Sequence, residues 1–370
     1  MNEICMGVDF GSRGAKIVVA SGTAERTSLQ HATVLPLGDG FNKALRAWVR
    51  ERGLQGVRAV LSIPADKAIL RWVMLPNVTG DERREAARFK VKRHLPFPVE
   101  EAYVEATAPE STEEGVAPSL VIAVRREIVK RRAESVAYAG LVPVAAELDA
   151  QGILRVVERR LQERSRVWRN ASLTVLDIGS ERTQMVVVQN QELQFLRSVR
   201  FGVRQLTEAV ASALDIAPEE AEARLALPGC GLRPDGRLVI DSPTEAAVID
   251  VSAVLERLTR ECLRLLRYFR SLHPERSYAG ILDHMVLSGG AAGLRGLAEY
   301  LSGFLKLRVE AVRPFAGLAA SIDGEAFRRL TLNQEAYTVA LGLAFSGLEG
   351  AVAATKEGEH ERQFLWQRGA

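Results

Sequence analysis

Two stretches of the chain carry the same pattern: VDFGSRGAKIVVA at residues 8–20 and LDIGSERTQMVVV at residues 176–188. Aligned without a gap, they share an aspartate, a glycine, a serine and two valines. Each begins with apolar residues, has Asp-x-Gly-Ser in its first half and ends with a second apolar run. Short apolar runs around a glycine turn indicate two strands joined tightly. The sequence therefore predicts a β-hairpin that occurs twice.

The residues of the turn indicate what these hairpins hold. Glycine lets backbone N–H groups approach an anion, and an acid beside the turn can orient the waters of a magnesium ion. Asp-x-Gly is also ordinary hairpin chemistry, so one copy alone does not decide between a structural turn and a phosphate site. Two copies favour the phosphate site, because hairpins that face each other can clamp a nucleotide between them.

The overall composition excludes several classes of protein. The chain has 370 residues, 47% hydrophobic and 26% charged, which is typical of a soluble globular protein of about two domains. Its net charge of +3 produces no strong field toward nucleic acid. The 3 cysteines are widely separated and include no C-x-x-C pair, which argues against a disulfide framework or a zinc site. No signal-peptide pattern and no membrane-length apolar run occurs, so we expect a cytoplasmic protein.

A third informative stretch lies in the second half of the chain. HMVLSGGAAGLRGL at residues 284–297 indicates an apolar strand, a double glycine and the start of a helix. Such a loop suits an anion or a flat ring lying against the backbone, although any tight strand-to-helix turn has the same pattern. Further on, AYTVALGLAFSGL at residues 336–348 predicts a small apolar helix that packs closely on a neighbour.

Two basic stretches in the first half predict charged helices. DERREAARFKVKRHL at residues 81–95 alternates charges of both signs, which is typical of a helix face in water. A second cluster is interrupted by glutamates and predicts an exposed helix face more than a phosphate or membrane contact. Its cations are Arg125, Arg126, Lys130, Arg131 and Arg132.

The order of these segments resembles the actin-like ATPase superfamily, which includes heat-shock chaperones and the cell-division protein FtsA. Asp9, Gly11, Ser12 and Lys16 match the superfamily pattern D-x-G-S-x-x-x-K. The resemblance implies an α/β, actin-like ATPase fold, with two lobes of mixed β-sheets flanked by helices, that binds ATP and Mg2+. Asp9 and Asp177 would hold the metal through water, Ser12 would contact the γ- or β-phosphate, and Lys16 would neutralise the β-phosphate.

The same resemblance implies where the adenosine lies. Glu261 and Arg264 have the E-x-x-K/R spacing with which heat-shock chaperones hold the adenosine, and positions three apart on a helix share a face. Gly289 and Gly290 match the adenosine loop, with Ala291 in place of its third glycine. The residues predicted to bind the nucleotide are Gly11, Ser12, Arg13, Lys16, Gly179, Ser180, Thr183, Glu261, Arg264, Gly289, Gly290 and Ala291.

Within the superfamily, the chain is similar to the PilM family of type IV pilus assembly proteins. This similarity extends over nearly the whole chain, up to about residue 348. The stretches that carry it are LPFPVEEAYVEA, AGLVPV, LDIGSERTQMVVV, LTRECLRLLRYFR, LSGGAAGLRGL and YTVALGLAF.

The similarity to PilM and FtsA implies an extra subdomain, called 1C, in the first half of the chain. The predicted division is 1–69 (subdomain 1A), 70–142 (subdomain 1C), 143–169 (return to 1A and connector), 170–212 (subdomain 2A), 213–280 (subdomain 2B), 281–335 (subdomain 2A), 336–348 (final helix back to 1A) and 349–370 (tail).

For function, the family resemblance implies an ATP-binding protein that grips the N-terminal cytoplasmic peptide of a PilN-like inner-membrane protein. It would reach the membrane only through partners, with pilus motor ATPases and a homo-oligomer as further expectations and no nucleic acid. Glu181 stands where superfamily members carry a glycine beside the γ-phosphate, so we expect slow or no hydrolysis. Gln151 and Glu147 are the candidates for orienting an attacking water.

Two other functions are compatible with this fold. A small-molecule kinase needs an acidic base beside a polar substrate pocket, and no aspartate in the sequence has such a context. An FtsA-like filament protein would use the apolar tail residues 364–366 as a membrane anchor, although a disordered terminus explains this tail more simply.

Overall fold

The computed structural model describes residues 3–23, 26–107, 115–164, 173–189, 192–242, 245–272 and 284–357. Residues 165–169 of the predicted segment 143–169 and residues 358–370 of the predicted tail lie outside this part of the chain. The described residues form four β-sheets flanked by helices. No helix among them is long and apolar enough to cross a membrane.

The described strands are β1 Glu3–Phe10, β2 Gly14–Gly22, β3 Thr27–Pro36, β4 Arg58–Ile63, β5 Ala68–Pro76, β6 Ala102–Ala106, β7 Val116–Arg125, β8 Val142–Leu148, β9 Leu173–Ile178, β10 Thr183–Gln189, β11 Glu192–Val199, β12 Gly231–Leu232, β13 Arg237–Ser242, β14 Glu245–Asp250, β15 His284–Ser288, β16 Arg308–Ala311 and β17 Ala319–Ala320. The described α-helices are α1 Phe41–Glu51, α2 Gly80–Val91, α3 Arg126–Tyr138, α4 Asp149–Arg164, α5 Val203–Leu214, α6 Pro218–Leu225, α7 Ser252–Leu272, α8 Leu297–Leu305, α9 Gly324–Thr331 and α10 Thr338–Glu357.

The first lobe is built on a six-stranded sheet with the strand order β17-β3-β2-β1-β4-β8. β1, β2 and β3 form an antiparallel meander, and β4 and β8 continue the sheet in parallel beyond β1. The middle of β1 is buried on both faces, as expected for a strand covered by helices on both sides. Because β1, β4 and β8 run parallel to one another, their carboxyl ends lie at the same edge of the sheet.

The small apolar helix predicted near the end of the chain is part of α10, which packs on β1 and α4. A Cβ on Gly7 of β1 would collide with the backbone oxygen of Ala340. A Cβ on Gly342 would collide with the backbone of Gly152 in α4. Glycine at these places lets α10 lie directly against the strand and the neighbouring helix.

The second lobe repeats the arrangement of the first. Its five-stranded sheet has the order β11-β10-β9-β15-β16, with a meander of β9, β10 and β11 and parallel strands beyond β9. The hairpins β1–β2 and β9–β10 therefore occupy equivalent places in the two sheets. A smaller antiparallel sheet, β12-β13-β14, and helices α5 to α8 share the core of this lobe.

A small three-stranded sheet, β5-β7-β6, lies between β4 and α3 in the chain and packs against α2. It has a core of its own, in which Leu75, Val104 and Val121 pack with Ala87 and Val91 of α2. Helix α3 packs instead with the core of the first lobe. The limits of the predicted subdomains stay a prediction.

Candidate nucleotide-binding site

A cleft of about 840 Å³ lies between the lobes, with the tips of both hairpins in its walls. This volume is in the range of sites that enclose a small organic ligand. The predicted residues that line it are Asp9, Gly11, Ser12, Arg13, Lys16, Asp177, Gly179, Ser180, Gly290 and Ala291. The predicted residues that are not among its described lining are Glu147, Gln151, Thr183, Glu261, Arg264 and Gly289.

The first hairpin brings an acid and a cation together. Asp9 is 7% exposed at the end of β1 and is paired across the hairpin with Lys16. Lys16 Nζ donates to Asp9 Oδ2 over 3.3 Å. A Cβ on Gly11 would lie 2.7 Å from the same Nζ, so glycine leaves the room that the lysine needs. The spacing D-x-G-S-x-x-x-K therefore places its acid and its cation at one point of the cleft.

The second hairpin presents a hydroxyl that has no partner in the described structure. The Gly179 N–H donates to Arg182 O over 2.8 Å and closes the turn. Ser180 Oγ is buried without a hydrogen-bond partner among the described residues, which points to a bound group as its partner. Thr183 is placed elsewhere: its hydroxyl donates to Phe201 O over 2.8 Å in the interior.

The glycine loop packs directly on the second hairpin. Gly289 has a φ of +87°, and a Cβ there would lie 2.5 Å from Ile178 O and 2.9 Å from Asp177 Oδ1. Gly290 differs, because a Cβ there would meet nothing within 4 Å among the described atoms. Gly290 thus presents open backbone to the cleft, whereas Ala291 lines the cleft with its N–H donated to Ile178 O over 3.2 Å. Gly289 packs closely against Asp177.

The pair predicted to hold the adenosine forms, but outside the cleft. Arg264 Nη2 lies 2.6 Å from Glu261 Oε2 on α7, and neither residue belongs to the described lining. An apolar part of the cleft wall comes instead from the segment after α6 and the loop before α8, with Leu227, Pro228 and Leu294. These side chains are a surface on which a flat ring can pack.

Neither residue predicted to orient an attacking water lies in the described lining of the cleft. Gln151 Oε1 accepts the N–H of Leu148 over 2.9 Å, so it serves the start of α4. Glu147 pairs with Arg155 at 3.0 Å. Asp149, between them in the sequence, lines the cleft instead.

Two of the carboxyl groups that line the cleft, Asp149 and Asp177, have raised pKa values. Burial raises the pKa of Asp149 to about 7, with further contributions from the charges of Asp177 and Asp9. Burial also raises the pKa of Asp177 to about 6; Ser288 and Lys16 lower this pKa, and Asp9 raises it. A divalent cation would relieve this repulsion. No three His, Cys, Asp or Glu side chains of the described chain converge tightly enough to hold a metal alone, so magnesium would need waters and phosphate oxygens as ligands.

Asp149 could have been found from the sequence, because it directly follows an apolar strand, as Asp66 nearly does and as Asp9 lies at the end of another. Asp9 lies at the end of β1, Asp66 follows β4 and Asp149 follows β8. These strands are parallel neighbours, so their carboxyl ends meet at one edge of the sheet. The apolar stretches VRAVLSIP and LVPVAAEL, each followed closely by an aspartate, carry this signal.

Arg132 reaches the cleft from helix α3. Its Nη1 donates to Ser62 O, and it belongs to the cleft lining. Burial lowers its pKa, while the charges of Asp9, Asp149 and Asp66 raise it. The prediction that Arg132 lies on an exposed helix face is wrong, because α3 packs on β4 and β8 and turns this residue inward.

Two ion pairs join the lobes across the cleft. Arg13, at the tip of the first hairpin, pairs with Glu222 of α6 in the second lobe. Arg182, at the tip of the second hairpin, pairs with Asp66 in the first lobe. All four residues line the cleft, so each hairpin tip contacts the opposite lobe.

These features fit a magnesium-bound nucleoside triphosphate. The open backbone at Gly290 can contact a ligand, and Ser180, which also lines the cleft, has a buried hydroxyl without a partner among the described residues. The charge of Asp9 raises the pKa of Asp177, while Lys16, which pairs with Asp9, lowers it and supplies positive charge for a phosphate. The donor set is that of carboxylates and hydroxyls, which magnesium prefers.

Known proteins provide a comparison with this geometry. The family model for type IV pilus assembly protein PilM matches residues 7–348. The solved PilM-PilN type IV pilus biogenesis complex is similar with a TM-score of 0.72 and 26% identity, over 93% of this chain and 98% of that one. MreB5 of Spiroplasma citri bound to ADP is similar with a TM-score of 0.53 and 12% identity, over 96% of this chain and 99% of that one. The comparison with curated proteins finds no match for this chain.

The two structural similarities have different weight. At 12% identity, the likeness to MreB5 shows the fold alone, and this is the actin-like ATPase fold predicted from the sequence. The family match extends over nearly the whole chain, from the first hairpin to α10, and confirms the resemblance found in the motifs. The chain belongs to the family of type IV pilus assembly proteins PilM.

Proposed function

We propose that this protein binds ATP with Mg2+ in the cleft between its lobes and acts in the inner-membrane assembly platform of a type IV pilus. The observation that carries the proposal is the pair of facing hairpins. One tip offers Asp9 with Lys16, and the other offers Asp177 with the unpartnered hydroxyl of Ser180. Family membership and the actin-like fold support it independently.

Each hairpin has a distinct role in this proposal. When bound, magnesium would offset the negative charge of the phosphates and the carboxylates. Asp9 and Asp177 orient its waters, and Lys16 neutralises charge on the β-phosphate. The turn residues that contact the phosphates are Gly11, Ser12, Arg13, Gly179 and Ser180.

The adenosine is proposed to lie against the open backbone of Gly290, beside Ala291 and the apolar side chains of Leu227 and Leu294. Gly289 contributes to the site indirectly, because its missing side chain leaves room for the carboxylate of Asp177. The Glu261–Arg264 pair is left out, since its members hold each other outside the described lining of the cleft.

Hydrolysis is expected to be slow or absent. Glu181 lines the cleft at the tip of the second hairpin, where its charge opposes the approach of a γ-phosphate. If turnover occurs, Asp149 is the candidate base, because it lies in the cleft and its pKa of about 7 suits proton transfer at neutral pH. Asp149→Asn would then abolish turnover while ATP still binds.

The test of the nucleotide site is a calorimetric titration of Asp9→Ala with Mg2+ and ATP. Loss of a residue that orients a metal's ligands costs about 10- to 100-fold in affinity, and we expect a loss in this range. Asp39→Ala, which removes an exposed acid from a surface turn, is the matched control. Equal affinity of Asp9→Ala and the unmodified protein would sink the assignment.

The partner is proposed to be the N-terminal cytoplasmic peptide of a PilN-like membrane protein. The similarity to the solved PilM-PilN complex supports this proposal. In this chain, β5 is an edge strand of the small sheet, and it carries Trp72 and Met74, each 49% exposed. An edge strand can add a peptide through main-chain hydrogen bonds, with exposed side chains as anchors. We place the peptide along this edge.

Capture of such a peptide tests the partner and its coupling to the nucleotide. Immobilised peptide should retain the protein, and retention should differ with and without ATP if the nucleotide state sets the grip. Trp72→Ala should lose retention, while Phe304→Ala, which removes another exposed aromatic ring on α8, should keep it. Equal retention of both variants would contradict the proposed edge.

This function places the protein in the cytoplasm, peripheral to the inner membrane through its partner. Contacts with pilus motor ATPases and a homo-oligomer stay predictions.

A further inference from the structure

A basic and aromatic surface at the end of α2 belongs neither to the cleft nor to the proposed peptide edge. It consists of Phe89, Lys90, Lys92 and Arg93, in α2 and the short turn Lys92–His94 that follows it. We propose that this α2 patch binds directly to the anionic surface of a phospholipid bilayer. Such binding goes beyond attachment to the membrane through a partner protein, and it does not depend on the nucleotide site.

Phe89 is the apolar member of the α2 patch. Its side chain is 79% exposed, more than any other large apolar side chain of the described residues. Helix α2 buries Ala87 and Val91 against the small sheet. Two residues along an α-helix correspond to a rotation of about 200°, so Phe89, two positions from each, points away from the sheet. Helix geometry therefore presents this ring to the surroundings.

The other members of the α2 patch are cations. Arg84 and Arg88, nearer the start of α2, both have acidic partners. Lys90, Lys92 and Arg93 are exposed and form no ion pair within the described chain. The end of the helix thus carries three cations whose charge is not neutralised by neighbours.

The combination of one exposed ring and three cations limits the kind of partner that the α2 patch fits. The helix dipole favours cations at a C-terminus, but it does not account for an outward-pointing Phe among them. A stable protein interface needs a much larger area than one ring provides. An aromatic ring among cations on a convex helix is typical of segments that lie on anionic membranes, where the ring enters the headgroup region. Charge complementarity therefore selects a lipid surface.

Sedimentation with lipid vesicles tests the proposal, with the intact chain and without nucleotide. Vesicles of phosphatidylcholine mixed with phosphatidylglycerol should bind the protein, and vesicles of phosphatidylcholine alone should not. Binding should weaken with rising salt, because the Debye length shortens and the attraction between the cations and the anionic lipids is screened. Each cation near an anionic surface contributes about five-fold to binding, so Lys92→Glu with Arg93→Glu should lower it by well over about 25-fold.

Matched variants distinguish binding through the α2 patch from nonspecific electrostatic or hydrophobic binding elsewhere on the protein. Lys43→Glu with Arg50→Glu makes the same charge change on the exposed face of α1 and should leave more binding than the α2 double variant. Phe89→Ala should weaken binding about ten-fold, while Phe304→Ala should not. Equal binding to neutral vesicles, equal losses in the two double variants, or no binding to anionic vesicles would each overturn the proposal.

Discussion

Arg182, at the tip of the second hairpin, forms an ion pair with Asp66, which follows β4 in the opposite lobe. Arg13 of the first hairpin pairs in the reverse direction, with Glu222 of α6. The four side chains are between 26% and 42% exposed, and exposed pairs contribute about 0.2–1 kcal/mol each. A triphosphate in the cleft would compete with both acids for the arginines. The pairs therefore form a weak clasp whose state depends on what the cleft holds.

Removing the acids of the clasp should tighten ATP binding. In Asp66→Asn and in Glu222→Gln, the freed arginine no longer has to leave a carboxylate to meet a phosphate. We expect each variant to lower the dissociation constant of Mg2+ and ATP about two- to five-fold, as the energy of an exposed ion pair predicts. Calorimetry measures the change. Glu208→Gln, an exposed acid of α5, is the control, and weaker binding by the clasp variants would contradict the clasp.

The raised pKa values of Asp149 and Asp177 predict how stability depends on pH. The folded chain binds these protons more tightly than the unfolded chain, so the contribution is complete below the ordinary aspartate pKa of 3.8. It is lost as the pH rises through about 6 and about 7. Without nucleotide or metal, the free energy of unfolding should therefore fall over this window, on the order of 1 kcal/mol per pH unit.

Urea unfolding at a series of pH values, with a metal chelator present, measures this dependence. Asp149→Asn should flatten the curve, because its amide does not titrate, and Asp39→Asn should leave it unchanged. Mg2+ with ATP should restore stability at the upper end of the window. A curve that rises over the window in the unmodified protein would refute the assignment.

Gly290→Val should separate nucleotide binding from stability. The backbone at Gly290 is outside the left-handed region, and a Cβ would meet nothing within 4 Å among the described atoms, so the fold should tolerate the side chain. The valine would occupy the space proposed for the adenosine and should weaken ATP binding by about ten-fold or more. Gly303→Val is the control at an equally open glycine. Unchanged ATP affinity would show that the adenosine lies elsewhere.

Gly7→Ala should destabilise the first lobe. A Cβ at this position would collide with Ala340 O, and α10 cannot move away without losing its contact with β1. Overpacking of this kind costs about 1–3 kcal/mol. Urea unfolding compares the variant with Gly40→Ala, where a Cβ would meet nothing nearby. Equal stability of the two variants would show that α10 does not press on β1 as described.

Local sequence was sufficient for the parts of the site that one segment builds alone. Asp9, Gly11 and Lys16 share a single hairpin, so their spacing along the chain sets their spacing in space. The same holds for the second hairpin up to Ser180, and for the open glycine at Gly290. The actin-like fold was also predictable, since its repeated hairpin and its order of motifs are properties of the chain.

Other features depended on how separate segments come together. Asp66 and Asp149 reach the cleft because β4 lies beside β1 and β8 lies beside β4, and Arg132 reaches it because α3 packs on β4 and β8. The strand sequences indicate that an acid follows each strand, but no local pattern specifies how these elements pack together. Glu261 shows the reverse case: its spacing to Arg264 is correct on the helix, yet the placement of α7 keeps the pair out of the described cleft lining. Spacing along one element determines which side chains share a face, whereas the packing of elements determines what that face meets.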